Sequence, residues 1–199
     1  MIFFHGNAEN IAGRLDFIKF IAPAFKAHIL LVDYRGYGKS EGNPTITGIE
    51  EDASAAVEWL KKTVKVPPSR IVLWGFSLGG AAALSAAEKH PDIAGVVVES
   101  SFISMRAMAT DVYPWMPVAF VTDGFDNQKI VSTLLVPKLF IHGDRDTVIP
   151  FNHGKALYMA AADPKEFIVV RGAGHGDALV VAGKDYVEKV SKWIEGRFR

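Results

Sequence analysis

The stretch Gly75-Phe76-Ser77-Leu78-Gly79-Gly80 leaves this chain fewer folds than any other part of it. It follows the apolar run Arg70-Ile71-Val72-Leu73-Trp74 and leads into Ala81-Ala82-Ala83-Leu84-Ser85-Ala86-Ala87-Glu88, residues that favour helix. A G-x-S-x-G pentapeptide between strand and helix implies a turn so sharp that the serine takes a strained backbone conformation, its hydroxyl lifted above the strand ends. A side chain at either flanking glycine would collide with the neighbouring strand or helix. The first N–H groups and the positive end of the helix point to the same place. A glycine-rich turn with an incidental serine has the same letters, but the strand before it and the small-residue helix after it favour a nucleophile.

The rest of the chain supplies a matching frame. Apolar runs at residues 1–4, 28–33, 70–75, 93–99, 138–142 and 166–171 alternate with helical patterns. Ile29-Leu30-Leu31-Val32 and Val96-Val97-Val98 are continuous rather than alternating, as in strands of a parallel sheet covered by helices on both faces. Ile11, Leu15, Ile18 and Ala22 share one helical face, which Pro23 is expected to end. Ile49, Ala53, Ala56, Val57 and Leu60 share another, with Thr47-Gly48-Ile49-Glu50 read as its capping box. Tyr186, Val190, Trp193 and Ile194 give a final helix its core face. With no repeat or linker, the 199 residues read as one α/β domain, a mostly parallel sheet of about six strands.

Residues 102–135 break this rhythm. The segment is too long for a simple loop and leaves from the carboxyl end of a strand, where open α/β sheets place ligands. It carries Met105, Met108, Tyr113, Trp115, Met116, Phe120 and Phe125, interrupted by Pro114 and Pro117. It is expected to form a short apolar lid, with Phe102, Trp115, Met116 and Phe120 as candidate substrate contacts. An irregular crossover over the sheet edge is the plainer reading.

Composition narrows the partners. Lys and Arg number 22 against 22 Asp and Glu, so there is no basic excess to favour nucleic acid or an anionic membrane. The chain has no cysteine, which removes disulfides, thiolate metal sites and a cysteine nucleophile. No apolar run reaches the ~18 residues of a membrane span. The opening residues lack the basic start and cleavage site of a signal peptide, so the expectation is a cytoplasmic protein. No metal or organic cofactor is called for. Gly36-Tyr37-Gly38-Lys39-Ser40 ends like a phosphate loop, but the first glycine of that motif would fall on Asp33.

A serine hydroxyl is a weak nucleophile that needs a base, an orienter for the base and donors for the oxyanion. Six histidines compete for the first role. His5 and His142 each precede a glycine at a strand end and read as turn-forming or packing residues. His28, His90 and His153 lie at element ends and read as structural or solvated. His175, in Gly172-Ala173-Gly174-His175-Gly176 directly after the last strand, can swing over Ser77 and is the best base. The orienting acid belongs on the turn Gly143-Asp144-Arg145-Asp146-Thr147, where Asp144 and Asp146 both qualify. Asp33 and Asp52 read as turn and helix-start residues. One oxyanion donor falls on Leu78, and the other on the loop His5-Gly6-Asn7-Ala8.

Taken in order, Phe4-His5-Gly6-Asn7-Ala8, Asp33-Tyr34-Arg35-Gly36-Tyr37-Gly38-Lys39-Ser40, the serine turn, Glu99-Ser100-Ser101-Phe102, His142-Gly143-Asp144-Arg145-Asp146 and Gly174-His175 resemble the α/β-hydrolase superfamily. More narrowly, they resemble its branch of serine-aminopeptidase-like hydrolases and acyl-protein thioesterases. The order serine, aspartate, histidine is that of the superfamily. The resemblance implies Ser77 as nucleophile, His175 as base, Asp146 as acid, and the Asn7 and Leu78 N–H groups as oxyanion donors. It implies hydrolysis of carboxylic esters, with thioester or peptide cleavage as alternatives; the short apolar lid suggests short to medium acyl chains, and a non-catalytic binding role is the reading from a different class. Relatives carry two more strands before the segment matching residues 1–4. That makes residues 28–33 an edge strand, whose bare apolar edge is expected to be covered, for instance by a second copy in a homodimer.

Overall fold

The computed structural model describes residues 1–8, 10–112, 115 and 124–198. Six strands form one sheet: β1 (Ile2–Phe4), β2 (Leu30–Val32), β3 (Val72–Phe76), β4 (Gly95–Glu99), β5 (Lys138–Gly143) and β6 (Lys165–Val170). Their order is β2-β1-β3-β4-β5-β6 and every neighbouring pair is parallel. All carboxyl ends therefore meet along one rim. Among the described residues the helices are α1 (Leu15–Phe25), α2 (Ile46–Lys62), α3 (Leu78–Lys89), α4 (Met105–Val112), α5 (Asn127–Thr133), α6 (Phe151–Ala160) and α7 (Ala178–Gly196). A short helical turn, Ile11–Arg14, precedes α1.

Alternate strand residues feed two cores, as the period of two requires. Ile2, Phe4, Leu73, Val96, Val98 and Phe140 pack against α2, α3, α5 and α6. Phe3, Val72, Trp74, Val97, Leu139 and Ile141 pack against α1 and α7. Each such side chain, fully buried, contributes roughly 1.5–3 kcal/mol. The continuous apolar runs are thus explained by burial on both faces. The alanines of α3 are all buried, which lets this helix lie close against β3 and β4.

Three local readings need correction. Pro23 lies inside α1, which runs on to Phe25 and ends where Lys26 adopts the left-handed conformation (φ 46°). The proline falls in the last turn, where one lost N–H bond is tolerated. The buried face of α1 is set by Ile21 and Phe25 with Phe17 and Ile18 beside them, while Leu15 is exposed. Thr45, not Thr47, caps α2: it is extended, and its hydroxyl accepts from Gly48 N at 3.0 Å. The helix thus opens two residues early, and with Gly48 at the third helical position the capping box is lost.

β2 does lie at an edge of the sheet, with Leu30, Leu31 and Val32 half-buried. An apolar cavity of about 460 Å³ lies at the amino ends of β1–β3, walled by His28, Leu30, Trp59, Val64 and Phe198. No helix among the described residues is long and apolar enough to cross a membrane.

Candidate active site

β3 delivers Ser77 to the rim, and α3 begins at Leu78. Ser77 has φ 55° and ψ −118°, a conformation that costs on the order of 1–3 kcal/mol and persists only when its surroundings impose it. They do so here. Ser77 N donates to Glu99 O at 2.8 Å, and its carbonyl accepts from Gly80 N and Ser101 Oγ, each at 2.9 Å. The flanking glycines are required by backbone proximity: a Cβ on Gly75 would lie 2.0 Å from Gly79 O, and one on Gly79 2.0 Å from Phe4 O. The motif Glu99-Ser100-Ser101 therefore holds the serine turn from the neighbouring strand.

The residues expected as acid and base, Asp146 and His175, meet. His175 Nδ1 and Asp146 Oδ2 are 2.8 Å apart, and the other carboxylate oxygen accepts from Val148 N at 2.9 Å and Ile149 N at 2.8 Å. Burial pushes the Asp146 carboxyl up. Bonds from His142, His175 and the Ile149 amide outweigh burial and hold it well below the ordinary 3.8. His175 packs its ring on Phe76, the residue before the serine, with centroids 4.9 Å apart. The Ser77 hydroxyl has no hydrogen-bond partner among the described residues; in unliganded sites the bond between a serine and a neighbouring base often forms only with substrate present.

Asp144 and Asp146 are now distinguishable. Asp144 Oδ1 accepts from Gly172 N at 2.6 Å, clipping the β5 turn to the loop that carries His175. It reaches the histidine's loop and not its ring. His142, read from sequence as a packing residue, does more: its Nε2 donates to Ile149 O at 2.9 Å and lies 3.4 Å from Asp146 Oδ2. The i, i+4 spacing of His142 and Asp146 across the strand end was the available signal. His153 is buried and structural: Nδ1 accepts from Ile103 N at 3.1 Å, and Nε2 meets Asp111 Oδ2 at 2.5 Å, fastening α4 to α6.

The loop after β1 carries Asn7 beside this turn, exposed, its N–H without a backbone acceptor among the described residues. Leu78 N–H, first in α3, has no intrahelical acceptor either. The glycine-rich loop 33–40 supports the Asn7 loop from below. Tyr37 Oη donates to Asn7 Oδ1 at 2.7 Å, Tyr34 Oη to His5 O at 3.1 Å, and Asp33 Oδ1 accepts from Ile11 N at 2.9 Å. The rings of His5, Tyr34 and Tyr37 pack together, and burial raises the Tyr37 hydroxyl above its usual pKa. Arg35 anchors the same loop to α2 through Asp52, which accepts from Arg35 N at 2.8 Å and from its guanidinium at 2.7 Å. Asp52 is thus an ion-pair partner and not a helix-start residue.

Of the lid candidates, Phe102 is buried against Phe125, and Trp115 is exposed. Met116 and Phe120 lie outside the described residues. Met105, Met108, Leu78 and Tyr37 are half-buried against the same core as Phe102. Among the described residues no cluster of His, Cys, Asp or Glu could hold a metal ion.

The sequence pattern of the alpha/beta hydrolase fold matches residues 1–130. The chain belongs to that family. An uncharacterized protein of Mycobacterium tuberculosis is 35% identical over 167 residues, which are 83% of this chain and 59% of that protein. An Arabidopsis thaliana alpha/beta hydrolase domain-containing protein, WAV2, is 30% identical over 98% of this chain and 69% of its own length. The chain therefore spans about 59% to 69% of these relatives. The Pyrococcus furiosus esterase Pf2001 superposes with a TM-score of 0.78 at 23% identity, covering 98% of this chain and 81% of the esterase. At that identity the likeness is one of hydrolase fold.

Proposed function

We propose that this alpha/beta hydrolase is a serine esterase that cleaves carboxylic esters of short to medium acyl chain through an acyl-enzyme. The observation that carries the reading is the 2.8 Å bond between His175 Nδ1 and Asp146 Oδ2, beside a serine held at positive φ at the head of a helix. Asp146 fixes the tautomer in which Nδ1 carries the proton and Nε2 is free to accept one. His175 takes the Ser77 proton as Oγ adds to the ester carbonyl. The oxyanion that forms is met by the N–H groups of Asn7 and Leu78 and by the positive end of α3. The proton then passes to the departing alcohol, and water repeats the sequence on the acyl-enzyme. The acyl chain lies along the half-buried Leu78, Met105 and Met108.

Ser77→Ala tests the reading. It is expected to lower turnover of p-nitrophenyl butanoate by on the order of 10⁴- to 10⁶-fold and to abolish labelling by a fluorophosphonate. A variant that keeps more than a tenth of wild-type turnover refutes the nucleophile. Matched ester, thioester and aminoacyl-amide substrates then rank the chemistry, with the ester expected to be fastest.

A further inference from the structure

We propose that the groove between α1 and the first turns of α7 is the subsite for the alcohol part of the substrate, and that it takes an apolar alkyl or aryl alcohol. This rests on the esterase reading and adds to it where the leaving group lies. The groove holds about 490 Å³, the size of sites that hold small organic ligands; Arg14, Phe17, Phe20, Gly176, Leu179 and Val180 line it, with the fully exposed Asp16 at its rim. Two lining residues place it next to the candidate site. Gly176 follows His175 directly, and the Arg14 guanidinium lies 4.1 Å from the centre of the Phe76 ring, on which His175 also packs at 4.9 Å.

Reaction geometry assigns the occupant. When the tetrahedral intermediate collapses, the carbon–oxygen bond to the alcohol breaks, and the proton on His175 Nε2 passes to that oxygen. The alcohol must therefore leave on the imidazole side, while the acyl group stays on Ser77 Oγ. The two sides of the serine differ as this requires. Phe76 belongs to the core shared with α1 and α7, and Leu78, Met105 and Met108 each pack against the core on the other face. The acyl arm follows Leu78, and the alcohol arm passes Gly176, next to His175, into the groove. Its walls also present apolar surface that the core does not use: Phe20 is 60% and Val180 83% exposed. The backbone of α7 breaks from helical geometry at Gly183 (φ 52°), which also borders the groove.

Two ester series test the assignment. In one the acyl group is butanoyl and the alcohol lengthens from ethanol to octanol; in the other the alcohol is ethanol and the acyl chain lengthens. Wild type is expected to gain up to about fourfold in kcat/KM per methylene of the alcohol until the groove is filled. Phe20→Ala and Val180→Lys, at exposed positions that the core can spare, are expected to flatten the alcohol series by roughly tenfold at its long end. Both should leave the acyl series parallel to wild type. An unchanged alcohol series overturns the subsite while leaving the esterase intact, as does equal flattening of both series. A loss confined to esters presented in phosphatidylcholine vesicles assigns the groove to a lipid surface and overturns the subsite too. Wild type that turns over no ester refutes the esterase reading, and the subsite with it.

Discussion

Replacing Asp146 by asparagine exchanges one carboxylate oxygen for an NH₂ group and, on the proposed esterase reading, should nearly abolish turnover. The amide oxygen can keep the bonds from Val148 N and Ile149 N, now 2.9 and 2.8 Å long, so the turn should hold its shape. The amide nitrogen then occupies the place of Oδ2, 2.8 Å from His175 Nδ1. Two donors cannot face each other there, so Nδ1 must give up its proton and accept, which puts the proton on Nε2. That nitrogen can no longer take a proton from Ser77. A wrong tautomer of this kind costs about 10⁴ in kcat, or about 5 kcal/mol of transition-state stabilisation. The same NH₂ would meet His142 Nε2, which already donates to Ile149 O, so it gains no partner on that side. Initial rates with p-nitrophenyl butanoate, measured below and above KM, give kcat separately from binding. Asp144→Asn is the comparison: it keeps an acceptor for Gly172 N and should stay within about threefold of wild type. A tenth or more of wild-type kcat in Asp146→Asn, or an equal loss in Asp144→Asn, would refute the assignment. The substitution also has a pH signature. The folded chain holds this carboxyl below the 3.8 of the unfolded chain, so unfolding takes up a proton at acid pH. The stability given by the charge is present above pH 4 and is lost as pH falls through the lowered value. The gap in melting temperature between wild type and Asp146→Asn should therefore close on acidification.

Tyr37→Phe removes the hydroxyl that holds the Asn7 side chain and should lower kcat roughly tenfold with little change in KM; a KM effect alone would mean the loop serves binding instead. Gly79→Ala sets a methyl against the Phe4 carbonyl and should destabilise the fold by more than about 3 kcal/mol in urea titration, an expectation that a wild-type midpoint would defeat. Glu99 is fully buried and its carboxyl is pushed above 4.5 by burial, opposed by bonds from Trp74 and Tyr186. Its ionisation works against folding as pH rises through 4.5, so Glu99→Gln should gain stability over wild type between pH 4 and 8, with no gain disproving the linkage. The edge of β2 should pair with a second copy, giving a dimer in sedimentation runs at rising concentration; a monomer throughout would reject it.

Much of this architecture was legible because each local signal agreed with the global one. Apolar runs marked all six strands to within about two residues, most sharply β3 and β4, which are buried throughout and whose runs have no polar position inside them. The glycines around Ser77 were legible because backbone contact admits no other residue. What stayed hidden depends on long-range placement. Asp144 and Asp146 sit on one turn with similar chemistry, and only the path of the loop after β6 decides which carboxylate meets the ring. His142 looked like a packing residue because its bond to Ile149 O forms across a turn whose shape the sequence does not dictate. Tyr37 belongs to a glycine-rich loop whose pairing with Asn7, 30 positions earlier, leaves no periodic trace. Thr45 and Pro23 show the smaller errors, where two or three residues compete to begin or end one helix.

The surroundings of Asp146 carry a last implication. Two amides and a buried histidine stay beside this carboxylate whether or not the ring at 175 is in place. Were the ring to swing aside, no bare charge would be stranded indoors, which spares the several kcal/mol that an abandoned ion normally exacts. On the proposed esterase reading, His175 can turn on its glycine-flanked loop between carbonyl, alcohol and incoming water while Asp146 stays held by its two amides.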